Sequence, residues 1–233
     1  MKCGVVIFPG SNCDHDVIHA LGAVLGREVE ELWHEEDTLK GCELVVLPGG
    51  FSYGDYLRAG ALAAQSPVMA AVRRHAERGG LVLGICNGFQ ILIEGGLLPG
   101  ALRHNRNLRF ECSDTYLRVE RDDLPFTSGY SVGQVLRIPI AHSEGRFEIG
   151  HDELERLESE RRVVFRYVSP EGDLDDAWNI NGSLDAIAGL TNAEGNVLGM
   201  MPHPERVVEG LLEGTDGLAL LRSAVESRVA LAS

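Results

Sequence analysis

The chain has 233 residues, 44% of them hydrophobic and 24% charged, so it is long enough to bury a core as one large α/β domain or two small ones. A formal net charge of −14 repels phosphate backbones and argues against nucleic acid binding as the main function. Cysteines at 3, 13, 42, 86 and 112 are odd in number with no Cys-x-x-Cys, which suggests reduced cytosolic thiols and indicates neither a disulfide framework nor a zinc site.

The N-terminal apolar run, 4–8, is too short for a signal peptide and predicts a first buried strand. It ends in the turn Pro9-Gly10-Ser11-Asn12. A helix is predicted over 14–25, with Asp14 and Asp16 as helix-start charges. His15, His19 and His34 show no metal-ligand spacing. A second strand, 44–47, runs into Pro48-Gly49-Gly50-Phe51-Ser52. Adjacent glycines after a strand expose backbone N–H groups to a ligand, although such a turn is also common as an ordinary tight loop. No Walker motif is present, and no Gly-x-Gly-x-x-Gly follows a strand. A helix is predicted over 60–78.

The third strand, 81–85, enters Gly84-Ile85-Cys86-Asn87-Gly88. An apolar strand ending in Gly-x-Cys-x-Gly is how a sharp turn lifts one side chain into a cleft, here with sulfur in place of the serine oxygen of hydrolases. A helix starting after Cys86 would aim its N-terminal N–H groups at the sulfur and favour a reactive thiolate. The uncharged stretch 79–93 is too short to span a bilayer. From 102 to about 168 the pattern changes to shorter strands at 110–119, 135–140 and 163–168, predicted to extend the sheet. A further strand over 197–201 leads into Pro202-His203-Pro204-Glu205, and 217–230 has helical spacing. Strand–helix alternation with functional-looking loops after the strands predicts an α/β fold: a doubly wound, mostly parallel sheet with helices on both faces and a small β extension. With no repeat, linker or low-complexity tract, one domain over 1–233 is the economical reading.

Pro204 pushes His203 towards an extended conformation, where residues i and i+2 share a side, so Glu205 can orient the imidazole. Cys86, His203 and Glu205 then make a nucleophile, a base and an orienter. Each also has a plainer reading: a packing thiol, a solvent-facing histidine, a first-turn charge. Their joint occurrence favours the chemical one. The N–H of Asn87, with one from Gly49 or Gly50, would form an oxyanion hole.

These residues carry a resemblance. Gly84-Ile85-Cys86-Asn87-Gly88-Phe89-Gln90 with His203-Pro204-Glu205 resembles the triad (class I) glutamine amidotransferases. The segments 8–14, 48–60 and 200–206 resemble more narrowly the glutaminase subunits of phosphoribosylformylglycinamidine synthases, over nearly the whole chain and at the length of the free-standing form. The resemblance implies the flavodoxin-like amidotransferase fold and a cytoplasmic enzyme that hydrolyses glutamine and passes ammonia on. It implies glutamine contacts from Gln90, Phe51, His142, Glu144 and Gly145, with 142–147 lining the pocket. It also implies a larger synthetase subunit, which would hold ATP and magnesium, and a small bridging subunit. No cofactor or metal is expected in this chain. The 53–57 loop and the 102–130 extension are candidate partner surfaces. Two positions depart from the family pattern: Ser143 stands where glycine is usual and Ile180 where proline is usual. The first points to a change in glutamine affinity, the second to loop stiffness. Rival readings are an amidotransferase feeding another synthase, a cysteine hydrolase of similar fold and a non-enzymatic regulatory subunit.

Overall fold

The computed structural model describes residues 1–212 and 214–227. The strands run in chain order β1 (Cys3–Ile7), β2 (Val29–Trp33), β3 (Leu44–Leu47), β4 (Leu81–Ile85), β5 (Ala101–Arg103), β6 (Glu111–Val119), β7 (Val135–His142), β8 (Arg146–Glu148), β9 (Val163–Val168), β10 (Ile187–Thr191) and β11 (Val197–Met200). The helices are α1 (Asp14–Ile18), α2 (Pro67–Glu77), α3 (Asn87–Glu94), α4 (His151–Ser159) and α5 (Leu218–Glu226). Nine strands form one sheet in the order β2-β1-β3-β4-β11-β10-β9-β6-β7, and β5 pairs with β8 apart from it.

The first five strands in that order pair in parallel; β10, β9, β6 and β7 continue the sheet antiparallel. Strands β3, β4 and β11 are buried along their whole length, as expected of uncharged, apolar runs in a parallel sheet covered on both faces. Each fully buried Leu, Val or Ile side chain there contributes about 1.5–3 kcal/mol. The order reverses between β1 and β3, the switch point at which such sheets open a crevice beyond their carboxyl ends. The loops after β1 and β3 meet there, bridged between Ser11 and Gly50.

Several predicted elements change their bounds. The helix expected over 60–78 begins only at Pro67, because proline at the first helical position holds Ser66 extended (ψ 147°). Ahead of it, Gly60 has a φ of +80° and presses on α3: a Cβ there would lie 2.8 Å from the carbonyl carbon of Gln90. The helix over 14–25 is α-helical to Ile18 and a π-helix from His19 to Val24. Of the last segment, 218–226 is helical and 228–230 lies outside the described residues. The extension is interleaved rather than a plain meander, since β9 lies between β6 and β10. Among the described residues no helix is long and apolar enough to cross a membrane.

Candidate active site

Strand β4 delivers Cys86 to a turn that only tight packing holds. Its φ of 51° and ψ of −106° are unusual for a residue with a side chain, the conformation of a strained strand-to-helix elbow. The flanking glycines make it possible. A Cβ on Gly88 would lie 1.9 Å from the carbonyl oxygen of Leu47, so α3 rests directly on β3. A Cβ on Gly84 would lie 2.7 Å from the oxygen of Gly88. The Cys86 N–H donates to Met200 O at 2.8 Å, which ties the elbow to the end of β11. The thiol points to Ala141 O at 3.6 Å.

His203 follows β11, and its N–H donates to Pro139 O of β7 at 2.8 Å. Its Nδ1 lies 2.7 Å from Glu205 Oε1, with both side chains about 1% exposed or less. The expected pairing therefore forms, through a 3-10 turn over Pro204–Arg206 instead of a continuous extended run. Burial alone would lower the His203 pKa. The Glu205 carboxylate and then Cys86 override it and raise the ring to about 10.

Gly49 lies where the pair converges. A Cβ on it would stand 2.7 Å from His203 Cε1 and 3.4 Å from Cys86 Cβ. Gly50, with φ +130°, packs instead on Asn12, 2.7 Å from its nitrogen to an added Cβ. Of the two glycines, Gly49 is thus the one against the reactive pair. Asn87 is fully buried: its Oδ1 accepts from the Ser52 N–H at 3.2 Å, and its Nδ2 donates to Gln90 Oε1 at 2.8 Å and Asp55 Oδ1 at 3.5 Å. Gln90 Nε2 donates to the Glu144 carbonyl at 2.6 Å. Phe51 is 42% exposed with its ring 6.3 Å from that of Phe110.

His142 and Gly145 form part of a buried network. His142 Nδ1 meets Asn105 Oδ1 at 3.0 Å, which also accepts from the Gly145 N–H at 3.1 Å. Asn181 Nδ2 donates to Gly145 O at 2.8 Å. Burial, then the charge of His203, pushes the His142 ring down to about 3, so it is neutral in the physiological range. Asn105 thus engages His142 Nδ1, while Nε2 is buried without a partner among the described residues, and a Cβ on Gly145 would lie 2.3 Å from Cε1 of the ring. Ser143 enters by its backbone, its carbonyl accepting from the Asn105 N–H, and Ile180 packs against the core.

Two neighbours of the pair, Cys13 and Arg206, and one neighbour of Asn87, Asp55, had no role assigned from the sequence. Cys13 is buried beside His203 and Glu205, and Arg206 Nη2 lies 3.1 Å from its sulfur and Nε 3.4 Å from Asp16 Oδ2. Burial pushes the Cys13 thiol up to about 12. Asp55 stands in a loop where Tyr53, Asp55 and Leu57 all have positive φ; burial, then Glu144, raises its carboxyl to about 6. Arg206 follows the His-Pro-Glu run directly and could have been found by position. Cys13 and Asp55 are linked to the site only by the fold.

A family model described as a CobB/CobQ-like glutamine amidotransferase domain matches residues 1–215. The chain is 57% identical over 231 residues to the phosphoribosylformylglycinamidine synthase subunit PurQ of Gloeobacter violaceus, covering 99% of this chain and 100% of that one. It superposes on a chain of the PurLQS structure from Thermotoga maritima with a TM-score of 0.85 and 46% identity, over 96% of this chain and 97% of that one. A putative GMP synthase component from Thermoplasma acidophilum shares the fold, at a TM-score of 0.62 and 17% identity, over 97% of this chain and 92% of that one.

Proposed function

This chain belongs to the CobB/CobQ-like glutamine amidotransferase family, and on that premise we propose that Cys86, His203 and Glu205 carry out its glutamine hydrolysis. It is the glutaminase component of a phosphoribosylformylglycinamidine synthase, an ATP-dependent carbon–nitrogen ligase of purine biosynthesis. Its partners are a PurL-type synthetase and a small PurS-type subunit. The ammonia converts formylglycinamide ribonucleotide to formylglycinamidine ribonucleotide on the synthetase, where we place ATP and magnesium. We assign the whole chain to one glutaminase domain without a cofactor of its own, working in the cytoplasm.

The observation that carries the assignment of roles is the strained Cys86 elbow facing a buried His203–Glu205 pair. The Cys86 thiolate adds to the side-chain carboxamide carbon of glutamine. The oxyanion is stabilised by the N–H of Asn87 and one from the 49–50 turn. As the C–N bond breaks, His203, held cationic by Glu205, gives its proton to the departing nitrogen, and ammonia leaves. A glutamyl thioester remains. Water loses a proton to His203 and attacks it, the C–S bond breaks, and glutamate and the thiolate are regenerated. Gln90 and Glu144, coupled through a hydrogen bond, and Phe51 at the rim serve as glutamine contacts. His142 and Gly145 support that pocket from behind.

The test is glutamate release from glutamine by wild type and Cys86→Ser, with and without the synthetase partners. Partner-stimulated release that the substitution abolishes is the expected result. Wild-type release retained by the variant would remove Cys86 from the mechanism.

A further inference from the structure

Cys13 lies outside the triad and yet completes a second set of donors with two of its members. Its Sγ, a ring nitrogen of His203 and a carboxylate oxygen of Glu205 all lie within 4.8 Å of one another. All three residues are buried, at 3%, 1% and 1% exposure. Among the described residues no group hydrogen-bonds Glu205 Oε2, although that atom does not reach solvent. Glu205 Oε2 thus keeps its lone pairs without a partner in the interior, a costly arrangement unless something else takes them up. Gly49 supplies the space. An added Cβ there would come 3.2 Å from Cys13 Sγ and 2.7 Å from His203 Cε1, so the absence of a side chain keeps these groups facing one another.

We propose that Cys13, His203 and Glu205 form an inhibitory site for a borderline-soft divalent cation of the zinc type. One thiolate, one imidazole and one carboxylate make a donor set of the kind this ion prefers, and hard cations such as magnesium do not take thiolate. Ligands about 2.0–2.3 Å from a tetrahedral ion stand about 3.5 Å apart. His203 Nδ1 and Glu205 Oε1, 2.7 Å apart, therefore separate on binding to admit the ion between them and Cys13, and the fourth position is left for Cys86 or a water. Coordination releases two protons to solvent, one from the Cys13 thiol and one from the His203 cation, whose ring must be neutral to ligate. It also displaces Arg206, whose guanidinium lies against the sulfur and keeps Asp16 as its other partner. The competing cation makes the site a modest binder, suited to inhibition and not to permanent occupancy. Once bound, the ion occupies the lone pairs with which Glu205 orients His203 and His203 moves protons, so glutamine hydrolysis stops. This consequence rests on the roles proposed above; the binding itself does not.

Cobalt(II) serves as the spectroscopic probe. Cys86→Ala is expected to show a thiolate-to-cobalt charge-transfer band saturating at one cobalt per chain. The Cys86→Ala/Cys13→Ala double variant should lack it. No band in the first, or an equal band in both, overturns the site. In the assembled enzyme, zinc titration of glutamate release is expected to give a half-inhibitory concentration at least tenfold higher for Cys13→Ser than for wild type. Basal activity should stay within about twofold, and equal zinc sensitivity overturns the proposal. Cys13→Ala provides the same comparison if the serine variant folds poorly. A cobalt band from Cys13 in a chain that releases no glutamate would keep the metal site and sink the hydrolytic assignment.

Discussion

Glu205 spends its carboxylate on one neighbour. Buried 2.7 Å from His203 Nδ1, it fixes the ring's orientation and supplies the main upward push on its pKa. Glu205→Gln keeps the shape and removes the charge. The expected outcome is a fall in kcat of about 10²- to 10⁴-fold, with the alkaline limb of the pH–rate profile moved to lower pH. An unchanged limb would show that the charge is not what holds the proton. The sign for stability follows the same pair. Because the folded pKa of about 10 lies above the ordinary value, its stabilisation is full below pH 6.5 and fades as the pH rises towards 10. Asp55 is a different case. Its carboxyl is raised to about 6 by burial and Glu144, so the protonated form is favoured in the fold. That contribution is full below pH 3.8 and is lost as the pH rises through 6. Asp55→Asn is therefore expected to raise Tm at about pH 7 relative to wild type and to leave it little changed at about pH 3.5; thermal melts at the two values check this. At this scale the reactive pair was legible because local rules announce it: glycines around Cys86, prolines around His203. Cys13 lies in a segment that carries the resemblance, but nothing local assigns it a place at the site, since 190 residues separate it from His203 and only the fold brings them together.

The contact of α3 with β3 is where an element, not a side chain, holds the elbow in place. Gly88→Ala would put a methyl group 1.9 Å from Leu47 O, and a buried backbone cannot yield cheaply. A loss of about 1–3 kcal/mol or more is expected, at about 2–4 °C of Tm for each kcal/mol in a chain of this size. Glutaminase activity should fall at temperatures where the variant is still folded, because α3 carries Asn87 and Gln90. An unshifted Tm would mean that the helix is free to move. The strands that read clearly were those with unbroken apolar runs. Strand β2 was missed because it carries two glutamates, exposes Glu31 and Trp33 and buries only Leu32 at the sheet's margin. Strand β10 was missed because its five residues are interrupted by Gly189, where the register shifts against β9. Helix α4 buries one residue, Leu157, and so has almost no apolar face to detect. The start of α2 was readable from Ser66-Pro67, yet the apolar spacing upstream suggested a longer helix.

Across the whole molecule the parallel half was legible as strand–helix alternation, whereas the curl of the other half was not. Strand β7 ends the strand order four places from β11, yet Pro139 O receives the His203 N–H and Ala141 O faces the Cys86 thiol. The sheet therefore bends back until its last strand walls the site, a consequence of accumulated twist that no local pattern encodes. That closure also governs what the molecule does to its neighbours. An outermost strand is ordinarily a template for another chain. Here Pro139 has no N–H to offer, its carbonyl is taken by His203, and the Arg137 N–H is taken by Asp216 Oδ2 at 2.7 Å. The loop that carries the histidine is thus also the guard of an adhesive border. Heating or mutation that lifts this loop is expected to cost turnover and to seed self-association in the same step, so light scattering should rise as activity falls.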